Sequence, residues 1–437
     1  MISFALVLLF AGLFASILTN RTLVMVKYGG KALDSRHLPN MMARALGQSR
    51  RLSDEDRIYE NCLVNGDMIE DLSAIGVQIV KSSCPATTAQ IASYMKKAHD
   101  ALNVVSFVEP DSEVFLHTTP VVSSPHRAQS NREPNGLCVN DPLSSSQPNL
   151  ELIRTVPAWR HIKGLNSIKP LKEVIVAVLD TGIDPNHPDL VNQMWRNPKD
   201  GSFGYNFYAN NSDATDDNGR GTRVAGVIAA QTNNAVGIAS IAEPGGVQIM
   251  SLEILSANAR GNWSDTISAL NFAIVNGALI STNSYISFSN SDIREQAIAN
   301  AAARGHIFVA SAGNDGAPLD TRPIHPCCSA VNIPSMLCVA STSSDPNHAV
   351  TLDPQSNYGS AVNIAAPGID ILSTSPGGYA TRSGTSMATP HVAAVAALLA
   401  SMGVEGQKIT NAIVQYGANV SNSDIPLLDA ARAILNA

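Results

Sequence analysis

Gly384-Thr385-Ser386-Met387-Ala388-Thr389-Pro390 runs directly into His391-Val392-Ala393-Ala394-Val395-Ala396-Ala397-Leu398-Leu399-Ala400. The second stretch is apolar on all sides and built largely from strong helix formers, which predicts a buried helix. The first stretch places a serine between a glycine and that helix. Its hydroxyl therefore stands at a strand-to-helix turn, where free backbone N–H groups favour negative charge. A serine hydroxyl is a poor nucleophile until a base takes its proton. An isolated Gly-Thr-Ser reads as a helix cap. The longer string points to chemistry, and the rest of the chain must then supply an acid and a base.

Upstream, Val174-Ile175-Val176-Ala177-Val178-Leu179 is an unbroken apolar run ending in Asp180-Thr181-Gly182. A run without alternation is the pattern of a strand buried on both faces of a parallel sheet. Similar runs span Val247 to Ile254, Ile307 to Ala310, Met336 to Ala340 and Ala361 to Ala365. Helical patterns lie between several of them, at Val224 to Ala230, Ser264 to Asn276 and Ile293 to Ala303. Strands alternating with helices predict an α/β fold, with sites at the C-terminal ends of the strands. Asp180 and Asn314 stand at such ends, and Ser386 begins a helix.

The chain has 437 residues, 45% hydrophobic and 15% charged, with a net charge of −7. That length holds one large domain and a small one. The acidic balance and the lack of a basic stripe exclude a nucleic-acid partner, and a monomer is expected. Ile2 to Leu18 is apolar and uncharged, so residues 1–20 read as a secretory signal peptide. Six cysteines (Cys62, Cys84, Cys138, Cys327, Cys328 and Cys338) fit an oxidising compartment, and place the protein outside the cell or in the endomembrane lumen. Fifteen pairings are open to six cysteines; the spacing favours one that joins Cys338 to Cys327 or Cys328. Residues 67–80 alternate, Thr87 to Leu102 has helical spacing, and Val104 to Asp111 is a strand closed by a Pro-Asp turn. Residues 119–137 are polar and proline-containing, a linker open to processing enzymes.

The string Gly384 to Pro390 resembles the nucleophile segment G-T-S-M-A-x-P of the subtilisin-like serine proteases, the subtilases. Val178-Leu179-Asp180-Thr181-Gly182-Ile183-Asp184 with His187-Pro188-Asp189-Leu190 resembles their aspartate motif, and Ala310-Ser311-Ala312-Gly313-Asn314-Asp315-Gly316 their oxyanion segment. The resemblance runs from about Cys138 to the end. It implies a subtilisin-like three-layer domain with a mainly parallel central sheet over 138–437. A small α+β propeptide-like module precedes it, within a propeptide over 21–118 whose inhibitor-like part is about 58–118. By the same resemblance Ser386 is the nucleophile, Asp180 the acid that orients a histidine, and Asn314 the donor to the oxyanion.

The family's histidine motif reads H-G-T-H-V-A-G. Here that place reads Arg220-Gly221-Thr222-Arg223-Val224-Ala225-Gly226, with Arg220 at the position of the general base. A guanidinium stays protonated and has no acceptor, so it cannot take a proton from Ser386. It can pair with Asp180. His187, His325 and His391 are expected to be structural. The expectation is a catalytically impaired pseudoprotease that holds a peptide or protein ligand, or its own propeptide, in the former substrate groove. An active endopeptidase with another base, and a drifting duplicate with no selected activity, remain open alternatives. Asn283-Ser284-Tyr285-Ile286-Ser287 resembles the substrate-binding strand, with Ile286 in place of a glycine and expected to narrow the groove. Asn233 to Ala239 resembles a calcium loop, which with Gln147, Asp189 and Asn234 implies a structural Ca²⁺.

Overall fold

The computed structural model describes residues 21–26, 68–72, 74–81, 105–116, 139–243, 245–343 and 349–437. The expected signal segment 1–20, the helix over 87–102, the linker 119–137, and Cys62, Cys84 and Cys138 lie outside these residues. The chain divides into two compact units, Met1–Asp111 and Ser112–Ala437.

The first unit contains a four-stranded antiparallel sheet of β1 (Arg21–Val26), β2 (Met68–Leu72), β3 (Val77–Lys81) and β4 (Val105–Pro110), in the order β2-β3-β1-β4. The alternation over 67–80 folds as the β2–β3 hairpin, turning at Gly76 with φ 71° and burying Leu72, Val77 and Ile79. The sheet also takes in β1, which lies upstream of the 58–118 stretch. Its Arg-Thr-Leu-Val-Met-Val pattern follows directly on the apolar leader, so periodicity alone does not separate the two.

The second unit opens with β5 (Glu113–Phe115) and contains β6 (Val174–Asp180), β7 (Gly204–Asn206), β8 (Val247–Glu253), β9 (Arg260–Asn262), β10 (Ile280–Asn283), β11 (Ile307–Ser311), β12 (Met336–Thr342), β13 (Ile364–Pro367), β14 (Ile371–Ser375), β15 (Gly378–Arg382), β16 (Ala418–Val420) and β17 (Ser423–Leu427). Nine of these form one sheet in the order β16-β17-β13-β12-β11-β10-β6-β8-β7, parallel except for the β16–β17 pair. Its helices are α1 (Pro148–Leu152), α2 (Thr155–Asn166), α3 (Arg220–Ala229), α4 (Trp263–Val275), α5 (Asp292–Ala302), α6 (Thr385–Ser401), α7 (Gln407–Gln415) and α8 (Ala430–Leu435). The sheet matches the α/β expectation, and three of the five apolar runs fall within a residue of their strands, while the run over 336–340 stops two residues short of β12. The fifth, expected over 361–365, forms β13 over 364–367 instead.

The central strand β10 escaped the sequence pattern. Its Ser281, Thr282 and Asn283 are polar yet fully buried; Ser281 and Asn283 find partners inside, while the Thr282 hydroxyl has none among the described residues. Asn283 Nδ2, for instance, donates to Ser281 Oγ at 2.9 Å. Helix α3 likewise starts four residues before the expected Val224. The residues Arg220-Gly221-Thr222-Arg223 carry no apolar signal, but a buried carboxylate described below caps their N–H groups.

Every residue of α6 is buried except Ser386. The helix lies in the core against α3, β10, β11, β12 and β13. Its all-round apolar pattern therefore fits a helix enclosed on every side, with one opening at its second residue.

Cys338, in the buried strand β12, is bonded to Cys327, with a Cα–Cα distance of 5.0 Å. Cys328 remains a half-buried thiol. Spacing restricted the partner to two adjacent residues, and packing selected Cys327, which is fully buried. In the loop-entropy view a closed loop of this size stabilises by ~2–4 kcal/mol. Cys338→Ala should therefore lower the urea midpoint of the full chain by an amount worth about 2–4 kcal/mol, and an unchanged midpoint would show that the bond adds nothing.

Candidate active site

Ser386 is the second residue of α6, after Gly384, whose φ of 129° only glycine adopts easily. A Cβ at Gly384 would also stand 3.2 Å from Asn314 Oδ1. Pro390 sits four residues after Ser386 and lacks the N–H that would bond the Ser386 carbonyl. That oxygen instead meets Ser284 Oγ at 3.5 Å, a long contact that brings the end of β10 beside the serine. Asn314 Oδ1 accepts from Thr385 N at 2.8 Å and from Thr385 Oγ1 at 2.9 Å. The amide orientation is fixed by those two donors, which commits its Nδ2 to the role of donor. Thr385 Oγ1 in turn accepts from Gly313 N at 3.2 Å, so the loop carrying Asn314 is pinned to the start of α6. Asn357 completes this support: its Oδ1 accepts from Asp315 N and Ala317 N, and its Nδ2 donates to Ala312 O. Asn357 lies 43 positions along the chain from Asn314, and nothing in its local sequence marked it.

Asp180, at the end of β6, is 1% exposed. Arg220 begins α3 and donates Nη1 to Asp180 Oδ2 at 3.3 Å, while its Nη2 donates to the carbonyl of Ser284. The guanidinium thus bridges the ends of β6 and β10. Burial pushes the Asp180 carboxyl up, with Arg220 pulling the other way, and burial pushes Arg220 down. An arginine nevertheless stays charged in proteins.

The turn around the pair is organised by Asp216. Its Oδ1 accepts from Thr181 Oγ1, Asn218 N and Gly219 N, and its Oδ2 from Thr222 N and Thr222 Oγ1. The carboxylate caps the first turn of α3, where negative charge is favoured. Gly221 permits the close crossing: a Cβ there would stand 1.9 Å from Gly182 O. Asp216 was legible in the sequence only as part of the frame before Arg220.

The histidines are committed elsewhere. His391 is fully buried behind Ser386 on α6, bonded through Nδ1 to Met387 O and through Nε2 to Asn149 Nδ2. Burial pushes it down to about 4, so it is neutral. His187 pairs Nε2 with Gly378 O and accepts from Asp189 N at Nδ1. His325 meets Arg294 Nη2 at Nδ1, and burial with that cation lowers it to about 4. Among the described residues the Ser386 hydroxyl has no hydrogen-bond partner.

A cleft beside the site is filled by the chain itself. β5 pairs antiparallel with β9, Glu113 opposite Asn262 and Phe115 opposite Arg260. On its other edge Phe115 and Ile286 exchange both backbone hydrogen bonds, each 2.9 Å. Ser287 Oγ donates to Glu113 O, Arg260 pairs with Glu113, and Phe115 and Phe288 rings stand 5.5 Å apart. Ile286 stands in this cleft with its backbone paired to Phe115, and with β5 in place it is 1% exposed.

The expected calcium ligands do not converge on a point. Asn234 presents its Nδ2, not its oxygen, to Asp189 Oδ1 at 2.8 Å, and its Oδ1 accepts from Val236 N. Asp189 Oδ2 accepts from Ile238 N and from Tyr379 Oη at 2.9 Å. Gln147 spends both ends of its amide on Ala239. A calcium ion needs six to eight oxygens turned inward; here they are turned to N–H and O–H donors, and the arrangement does not fit the ion. Among the described residues no group of three or more His, Cys, Asp and Glu could hold a metal.

Comparison with known proteins places this geometry. Residues 171–416 match the subtilase family, Peptidase_S8. The chain is 37% identical over 267 residues to a thermophilic serine proteinase of Bacillus sp. (strain AK1), an alignment covering 61% of this chain and 60% of that protein. It is 36% identical over 287 residues to thermitase of Thermoactinomyces vulgaris, covering 65% of this chain and 93% of the relative. In fold it is similar to fervidolysin from Fervidobacterium pennivorans, with a TM-score of 0.73 at 23% identity, covering 95% of this chain and 61% of the other.

Two outcomes follow from the electrostatics. Glu253 ends β8 opposite Asp180, is 3% exposed, and its Oε2 has no hydrogen-bond partner among the described residues. Burial, then Asp217 and Asp216, push it from 4.5 up to about 8. A raised carboxyl binds its proton more tightly folded than unfolded, so its contribution is whole below pH 4.5 and is lost as pH rises through about 8. Stability measured by urea titration should fall across that window, and Glu253→Gln should flatten the fall; an unchanged pH slope in the variant would refute the assignment. Chelation should leave the thermal midpoint of the full chain unmoved, since the Asp189 cluster is satisfied without an ion. A large drop in EDTA reversed by Ca²⁺ would restore the calcium reading.

Proposed function

We propose a function for this chain from one premise: it belongs to the subtilase family. Its scaffold is that of a serine endopeptidase, and our reading is a catalytically impaired member, a pseudoprotease, in which Arg220 takes the position of the general-base histidine. One observation carries this reading: the Arg220 guanidinium donates to both Asp180 and the Ser284 carbonyl. In a working triad the buried carboxylate orients an imidazole that accepts the serine proton. Here that carboxylate is engaged by a cation with no lone pair to offer, so the proton on Ser386 has nowhere to go. In subtilisin, loss of the histidine alone costs about 2 × 10⁶ in turnover, and the oxyanion hole with binding leaves roughly 10³–10⁴ over water. The Asn314 amide, held by Thr385, is suited to bind a carbonyl oxygen without cleaving behind it.

The occupant is then a peptide. The pairing of β5 with β9 and Ile286 supports a cleft that takes an extended strand and a chain that supplies one from its own propeptide. Without a base the chain does not cut itself, and the propeptide-like module stays joined to the main domain until another protease severs the linker. The leader and cysteines support secretion or the endomembrane lumen. A second reading, an active endopeptidase using another base, draws on the intact placement of Ser386 and Asn314.

A fluorophosphonate probe separates the readings. The full chain should label at Ser386 far more slowly than an active serine protease, and Arg220→His should regain labelling and some peptidase activity. Rapid labelling of the unaltered chain that vanishes in Ser386→Ala would overturn the pseudoprotease reading.

A further inference from the structure

Three Asn-x-Ser triplets fall among the described residues: Asn210-Asn211-Ser212, Asn262-Trp263-Ser264 and Asn419-Val420-Ser421. Such a triplet accepts an N-linked oligosaccharide when it stands on the surface of a secreted chain. The fold separates the three. β7 and β16 end the order of the nine-stranded sheet, so each has one side without a neighbouring strand among the described residues. Two of the triplets lie at those two edges, and the third is packed against β5.

At the first edge the chain leaves β7 and turns back on itself, Asn206 and Asn211 exchanging backbone hydrogen bonds of 2.8 and 3.0 Å. Asn210 closes this turn with a φ of 56°, a left-handed conformation that asparagine tolerates better than most residues. Asn210 and Ser212 are exposed, as is Tyr208 on the same turn. Tyr205 Oη donates to Asn210 Oδ1 at 3.0 Å, and Nδ2, the nitrogen that would carry a sugar, has no partner among the described residues. At the opposite edge Ala418 pairs with Leu427 and Val420 with Ser423, and the register shift between them leaves Asn419 in a bulge. Asn419 and Ser421 are exposed while Val420 is buried, and the Asn419 amide has no hydrogen-bond partner among the described residues. Asn262, by contrast, is half-buried in β9 opposite Glu113 of β5, and its Trp263 and Ser264 are buried.

A bare sheet edge is a template for pairing with another chain, and a lysine or proline on the strand commonly blunts it. Gly204-Tyr205-Asn206 and Ala418-Asn419-Val420 carry neither. A bulky, hydrated group beside each edge would do the same work.

We propose that Asn210 and Asn419 each carry an N-linked oligosaccharide, and that the two sugars shield the two open edges of the central sheet. This rests on the reading that the chain enters the secretory lumen. The donor is an oligosaccharide joined through a diphosphate to a polyprenyl lipid. Asparagine Nδ2 bonds to the anomeric carbon of the sugar as the bond from that carbon to the diphosphate oxygen breaks. The polyprenyl diphosphate leaves, and one amide proton passes to a base of the transferring enzyme.

The test expresses the full-length chain through a eukaryotic secretory pathway. Peptide N-glycosidase in heavy-oxygen water then marks each occupied asparagine as a labelled aspartate for mass spectrometry. Asn210 and Asn419 should be labelled in most copies and Asn262 in few, and Asn210→Gln and Asn419→Gln should each remove the mass of one oligosaccharide from the intact chain. The double variant, with a urea midpoint showing that it is folded, should aggregate severalfold faster on warming as read by light scattering. A secreted chain bare at Asn210 or Asn419, or occupied at Asn262 as fully as at the edges, would overturn the proposal. Equal aggregation rates would overturn the shielding. A chain held unmodified in the cytoplasm would instead refute the secretion reading, and the proposal with it.

Discussion

The site depends on how one buried carboxylate is neutralised. Asp180 ends a central strand with almost no exposure, and an unpaired charge there would cost several kcal/mol. Arg220 meets it, but removes its own charge from water in doing so. The arrangement is tolerable because the same guanidinium reaches the Ser284 carbonyl, and because Asp216 anchors the first turn of α3 with five accepted hydrogen bonds. β6, β10 and α3 are therefore locked together at the end of the sheet that carries Ser386.

The rest of the site is held independently of that pair. Asn314 is oriented by Thr385, and its loop by Asn357; both belong to the packing of α6 against the sheet rather than to Arg220. The three residues expected to hold calcium, Gln147, Asp189 and Asn234, are likewise held by hydrogen bonds of their own. Tyr379, from the hairpin that leads to Ser386, takes up the Asp189 carboxylate, so hydrogen bonds supply what a cation would. The cleft is likewise filled from within, since β5 satisfies edges at Ile286 and β9 that would otherwise be open to any extended chain.

Much of this was legible along the chain because it is local. Unbroken apolar runs gave β6, β8, β11 and β12, and the strings around Asp180, Asn314 and Ser386 marked three residues that do meet at one end of the sheet. β10 was missed because it is polar: Ser281 meets His306 and Asn283 meets the Val309 carbonyl, partners far enough along the chain that no window can see them.

By itself the sequence determined the α/β class and the family's motifs around Asp180, Asn314 and Ser386, and it set Arg220 before Gly221-Thr222, since each rests on residue chemistry in one short stretch. Only the tertiary structure decided that Arg220 spans Asp180 and Ser284, that Cys338 takes Cys327, that Asn234 turns its nitrogen to Asp189, and that residues 112–116 line the cleft. Those outcomes turn on which partner lies within about 3 Å, and such distances between segments a hundred residues apart exist only once the core has packed.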